Sequence, residues 1–164
     1  MWGKKVVDIK SDSLEYATLE GIRFIGTHIF EDLSNGDSVY YYIDFSEVTK
    51  RVEVNSFHIS TDGQCMVYAY ANPVISSKGT LININNANSQ SKTKNQLKIY
   101  YSPAITAKGS IVAETYVALG DRGSRVMSDV FTYRIIGEDM LVEIKNVSGT
   151  SMAYGSVIFN WKES

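Results

Sequence analysis

An all-β sandwich or barrel is the fold this chain predicts, and composition, periodicity and punctuation agree on it. The sequence holds 11 tyrosines, 12 glycines and only two prolines beside many Val, Ile and Thr, residues that suit a pleated, half-buried surface. Apolar residues recur at every second position in one segment after another, the period of a strand with one face in a core. Turn signals separate these segments, giving about nine strands at roughly ten-residue spacing with no long helical period. No repeat of fixed period is read from the chain, which argues against a propeller or β-helix.

Length and composition bound the function. At 164 residues with 44% hydrophobic and 21% charged content, the chain is expected to be one soluble domain with a real core. Its lone cysteine, Cys65, rules out an internal disulfide framework. Neither a signal-type apolar run at the start nor a membrane span is expected, so the protein is read as cytoplasmic where it is made. The net charge of −2 argues against nucleic-acid binding. The charge is unevenly placed: from Gly63 to Ala113 there is no Asp or Glu, while Lys78, Lys92, Lys94, Lys98 and Lys108 fall there. Such a stretch either meets an acidic partner or solvates loops and guards sheet edges.

In chain order, residues 1–20 carry Lys4, Lys5, Asp8, Lys10 and Asp12 around a Val-Val pair without a sustained period. They read as an arm that orders on a neighbouring subunit or as a frayed terminus, ahead of a folded domain over 21–164. Leu14 to Leu19 suits one helical turn capped by Ser13. Ile22 to Phe30 alternates loosely, and Asn35-Gly36 is a hairpin signal because both residues tolerate positive φ. Val39, Tyr41, Ile43 and Phe45 then share a core-facing side, which leaves Tyr40 and Tyr42 outward or under a covering loop. Paired outward tyrosines suit a protein interface, and cross-strand packing on their own sheet explains them equally.

Val52 and Val54 fall out of phase with Phe57 and Ile59, which predicts a bulge near Asn55-Ser56. Thr61 to Gln64 is a turn in which Gly63 would supply a left-handed residue. Cys65, Val67, Ala69 and Ala71 oppose Met66, Tyr68 and Tyr70 up to Asn72-Pro73. Thr80 to Asn85 reads as one strand, followed by a polar excursion of about a dozen residues that is long for a hairpin and of a kind that is often functional. Leu97, Ile99 and Tyr101 restart the alternation until Ser102-Pro103, and Ser110 to Leu119 continues it. Beyond the charged loop around Gly120 and Gly123, short strands follow at Phe131 to Ile135 and at Val142 and Ile144. After the Ser148-Gly149-Thr150 turn, Ala153 to Trp161 closes the chain with Val157, Phe159 and Trp161 on one face.

The residues do not assemble a catalytic or metal motif. His28 and His58 sit on separate strands without the close-spaced ligand pair that zinc needs. Cys65 would need a histidine to activate it; His58 lies across one turn, and a buried inert thiol is the competing reading. No Gly-x-Ser-x-Gly elbow occurs. The Gly120 loop lacks the Lys-Ser/Thr of a phosphate cradle, and Arg122 and Arg125 oppose calcium beside Asp121. Glu31-Asp32 and Glu138-Asp139 are explained by turn propensity.

Several passages resemble the capsid decoration proteins of tailed bacteriophages. They are Gly21-Ile-Arg-Phe-Ile-Gly26 with Phe30; the Asn85-Asn86-Ala-Asn88-Ser89 loop before Tyr101-Ser102-Pro103; Thr106-Ala-Lys-Gly109-Ser110; and Tyr133-Arg-Ile with Met140 to Asn146 and Gly155 to Glu163. The likeness covers residues 20–163, and the loop departs from it by carrying more Lys and fewer Asn and Arg. It implies a jelly-roll-like β-sandwich of eight to nine antiparallel strands, a trimer favoured among homo-oligomers, seated on the major capsid protein of a virion. It also implies no cofactor and no catalysis. The expected contacts are the arm with Lys4 and Lys5, the tyrosines Tyr40 and Tyr42, and the loop with Lys92 and Lys94; no nucleic acid or membrane is expected as a partner. The rival reading is a receptor- or glycan-binding sandwich of a phage fibre or tail, using exposed aromatics and the Asn/Gln-rich loop.

Overall fold

The alternating segments pair into two antiparallel sheets whose inner faces close on one apolar core, the all-β sandwich that the period predicts. The structure, a computed structural model, describes residues 14–117, 125–127, 134–149 and 152–164. The helical turn is present as α1 (Leu14–Leu19), while Ser13 and the arm with Lys4 and Lys5 lie outside the described residues, as do Phe131, Tyr133 and the Gly120–Gly123 loop. The strands are β1 (Arg23–Leu33), β2 (Ser38–Asp44), β3 (Val52–Thr61), β4 (Cys65–Ala71), β5 (Val74–Ser77), β6 (Thr80–Leu81), β7 (Asn83–Asn86), β8 (Lys98–Tyr101), β9 (Ala104–Ala107), β10 (Ser110–Val117), β11 (Arg125–Met127), β12 (Arg134–Ile136), β13 (Met140–Asn146) and β14 (Ala153–Glu163).

The first sheet has the order β11-β3-β14-β1-β7, with β12 also on β3; the second has the order β10-β4-β13-β2-β8-β6. A separate two-stranded ribbon, β5-β9, stands apart from both. Last strand and first strand are neighbours: β14 lies between β1 and β3, pairing from Arg23–Lys162 to Phe30–Gly155 on one side and from Gly155–Thr61 to Glu163–Val52 on the other.

The core forms where the predicted faces meet. Tyr41, Cys65, Val67 and Ala69 are inaccessible to solvent, and Phe57, Val157 and Trp161 meet them from the other sheet. Phe57 and Phe159 lie 4.6 Å apart between ring centroids, with Tyr41 edge-on to Phe159 at 5.7 Å. Truncating either phenylalanine to alanine should cost about 3–5 kcal/mol through lost transfer energy and the void left behind. The bulge falls where the phase slip predicts it: Asn160 faces Ser56 while Trp161 faces Val54, so Asn55 is the extra residue.

Several expectations need correction, all where the chain passes between sheets. Asn35-Gly36 is a turn, with Gly36 at φ 87°, but it makes no hairpin, because β1 belongs to one sheet and β2 to the other. Thr80 to Asn85 is two strands: Thr80 and Leu81 pair with β8, the chain crosses at buried Ile82, and Asn83 to Asn86 pair with β1. Both halves alternate, so sequence period alone does not mark the crossing. Gly63 is not left-handed; a Cβ there would meet the Cβ of Ala153 at 2.7 Å, so its requirement is close approach.

Candidate functional site

The outer face of the second sheet, where Tyr40 and Tyr42 were expected to meet a partner, is covered by the chain's own ribbon. Tyr42, Tyr70 and Leu141 are buried there, packed with Tyr40, Tyr68, Tyr100, Ile75 and Ile105. Tyr42 is buried by the chain itself: its hydroxyl donates to Asp139 at 2.6 Å, and burial, then that carboxylate, raise its pKa well above the ordinary tyrosine value. Tyr40 is half-buried and donates to Glu143 at 3.0 Å.

Glu143 organises this layer. It projects from β13, almost fully buried, and accepts hydrogen bonds from Ser38, Tyr70 and Lys108 at 2.7, 2.7 and 2.8 Å. Burial alone would raise its pKa, but the four donors, Lys108 first, hold it below the usual carboxylate value. The same burial would lower that of Lys108, yet the bonds to Glu143 and Tyr40 raise it. On the same face, in the other half of the sheet, buried Asp44 receives Lys78 at 2.5 Å; desolvation would raise its pKa, but Lys78 and Ser46 lower it. Lys78 and Lys108 thus each neutralise a buried carboxylate of their own sheet, a role the sequence does not reveal.

This arrangement repeats. Pro73-Val-Ile75-Ser-Ser-Lys78-Gly79-Thr80 and Pro103-Ala-Ile105-Thr-Ala-Lys108-Gly109-Ser110 are copies of one motif, and they form the ribbon by pairing with each other. Exchanging β4 with β8, β10 with β6 and β13 with β2 leaves the order of the second sheet unchanged. Glu143 faces Tyr68 in β4 as Asp44 faces Lys98 in β8, so the two carboxylates occupy equivalent places. Asn72 and Ser102 share φ 54°, and Gly79 and Gly109 take φ 85° and 87°. The signal for this is in the sequence, as Pro-x-Ile-(Ser/Thr)-x-Lys-Gly-(Thr/Ser) occurring twice, a motif much shorter than a full structural repeat.

The long polar excursion crosses from β7 to β8, between sheets, and is fastened rather than free. Asn86 donates to Gly21 and Thr93 carbonyls, Asn88 to that of Leu19, and Gln96 accepts from the Thr49 and Lys50 amides. Fully buried Glu163 accepts from the Gln96 and Leu97 amides and from the Trp161 indole. Lys92 and Lys94 remain exposed on this loop. Among the described residues no hydrogen bond or ring contact joins them to Tyr40 or Tyr42, whose hydroxyls go to Glu143 and Asp139.

The cysteine and the two histidines have separate surroundings. Cys65 points into the core, with Thr61 as its near polar neighbour at 3.8 Å, and burial raises its pKa. His58, on the opposite side of β3 from the core-facing Phe57 and Ile59, does not reach it. His28 stacks on Tyr101 at 4.1 Å and shares a hydrogen bond with the Tyr41 hydroxyl at 3.0 Å, and burial lowers its pKa. No group of three His, Cys, Asp or Glu side chains among the described residues could hold a metal, and no helix there is long and apolar enough to cross a membrane.

Among the described residues, the outer face of the first sheet is open in part, at Thr27, Ile29 and Ile158. Its middle rows are Asn83–Thr27–Ile158–His58, Asn85–Ile25–Asn160–Ser56 and Ile29–Ser156–Ser60. No carboxylate, lysine or arginine occurs in them, and Ile29 and Ile158 are 67% and 40% exposed. An uncharged β surface with exposed aliphatics has the composition of an interface core. No family model matches this chain, and no curated protein or solved structure matches it.

Proposed function

We propose that this chain is a structural virion protein that decorates the outer surface of a phage head and cements its capsomers, as the sequence resemblance implies. The observation that carries the reading is the contrast between its two outer faces: one has Glu143 and Asp44 paired with lysines beneath a ribbon, and the other has middle rows without a charged residue, exposed at Ile29 and Ile158. A surface of that kind is stabilised by covering with protein. In this reading the sandwich is jelly-roll-like, the oligomer a trimer, and the partner the major capsid protein, with no cofactor, nucleic acid, membrane or catalytic step involved. Binding to the assembled shell but not to separated capsomers would stabilise the shell by mass action. The glycan-binding alternative has less to draw on, because Asn86, Asn88 and Gln96 direct their amides to backbone groups of this chain. Co-sedimentation with expanded phage heads tests the proposal. It stands if the protein pellets with heads and raises their melting temperature, and it falls if heads neither retain it nor gain stability.

A further inference from the structure

The first sheet is incomplete on the side of β1 away from β14. Along that side β7 pairs with Phe24 through Thr27 and then stops, because the chain leaves for the second sheet at Ile82. The orientation of the remaining backbone can be read from two hydrogen bonds. Ala87 N–H donates to the Arg23 carbonyl, and Glu163 N–H donates to the Ile22 carbonyl. Backbone groups alternate sides along a strand, so even-numbered residues of β1 turn toward β14 and odd-numbered ones toward β7. Past Thr27 the odd residues are Ile29 and Glu31, and among the described residues no strand pairs with that side of them. Both are exposed.

The space beside them is shaped and one-signed in charge. A cleft of about 500 Å³ opens between Ile29, Leu81 and Tyr101. An adjoining one of about 340 Å³ runs past Val39 to Glu31. Neither is lined by a lysine or arginine. Glu31 and Asp32 are exposed at the far end, and neither forms an ion pair among the described residues. Unpaired strand edges recruit extended chains through main-chain bonds, and side-chain pockets select among them.

We propose that this edge is a docking rail for an extended strand of a partner protein, one with a basic residue followed by two apolar residues. Running antiparallel to β1 and in line with β7, the guest sets its basic residue opposite Glu31. Its next residue turns inward opposite Phe30, toward Val39 and Tyr101, and the third lies outward opposite Ile29. The inference goes beyond the capsid reading and does not depend on it; head co-sedimentation and peptide binding fail independently.

The probe is acetyl-Thr-Ser-Lys-Val-Val-Thr-amide, titrated to millimolar concentration into the full chain while amide hydrogen exchange is followed by NMR. Exchange at Ile29 and Glu31 should slow by about tenfold, with His28 and Phe30, already turned toward β14, unchanged. The peptide methylated on the nitrogens of its Lys and second Val should give no slowing, and a Lys→Glu peptide much less. Absence of slowing with the first peptide, or equal slowing with either control, overturns the proposal. Ile29→Pro removes only the outward-facing N–H, so it should abolish the response while a thermal melt shows the sheet intact. If that variant does not fold, the methylated peptide still decides the matter.

Discussion

Lys108 and Glu143 meet at 2.8 Å beneath the ribbon, and Lys78 and Asp44 meet at 2.5 Å in the equivalent place of the other half-sheet. Each lysine also lies over a tyrosine ring, Lys108 at 5.3 Å from Tyr40 and Lys78 at 5.9 Å from Tyr100. The halves are not equal: Glu143 accepts from three hydroxyls as well as its lysine, whereas Asp44 has Lys78 and Ser46.

Glu143→Gln should therefore cost more than Asp44→Asn. An amide in place of the carboxylate sets N–H groups against donors, so a loss of about 2–3 kcal/mol is expected for Glu143→Gln. At this chain length that corresponds to a fall in Tm of about 4–12 °C. Urea melts of both variants check the order; equal losses would show that the hydroxyl cluster adds nothing.

The same groups set the pH limits of the fold. The Glu143 and Asp44 pKa values lie below their unfolded references of 4.5 and 3.8, so below those values the unfolded chain binds more protons. Their contribution is present above the unfolded pKa and is lost as pH falls through the folded one. Tyr70 is pushed up to about 12, by burial first and then by Glu143. Its contribution is complete below the unfolded value of 10.0 and disappears as pH rises through about 12. Stability measured by denaturant should fall on both sides, and Glu143→Gln should flatten the acid limb in particular.

Alanine at Gly79 or Gly109 should unfold the ribbon turns. Each has positive φ, and a Cβ would strike the opposite copy's turn, Tyr101 and Ser102 carbonyls for Gly79 and the Ala71 carbonyl for Gly109. Gly36 has φ 87° with nothing near a Cβ, so Gly36→Ala isolates the conformational cost of about 1 kcal/mol. The ribbon glycines should lose clearly more than that in matched melts.

Ile158→Lys separates folding from association. Ile158 lies on the open face of β14 and supports no core contact in the described cluster, so stability should change by no more than about 0.5 kcal/mol. Head binding should be lost, since the covering protein would have to bury an unpaired charge. Retained binding would move the contact to another surface.

The strands were legible because a half-buried sheet writes its period directly into the chain: Tyr41 and Ile43, Val67 and Ala69, and Val157 and Phe159 all lie inside as predicted. The bulge at Asn55 was legible for the same reason, since an extra residue shifts the phase. Which strands share a sheet was not. Ile82 and Asn35-Gly36 change sheets without changing the alternation, and pairing across long separations leaves no local mark. The site misled for a related reason. Tyr42 alternates as an outward residue must, and its burial comes from Ile75 and Ile105 far along the chain. Glu143 reads as an exposed strand position until Lys108 and Tyr70 are brought to it.

The central place of β14 governs how the protein can fold. Its 11 residues are far along the chain from β1 and β3, yet those two strands are joined in the sheet only through them. Until β14 arrives, β1 and β3 remain an unjoined pair of edges, so closure of the first sheet is gated by long-range pairing rather than by local structure.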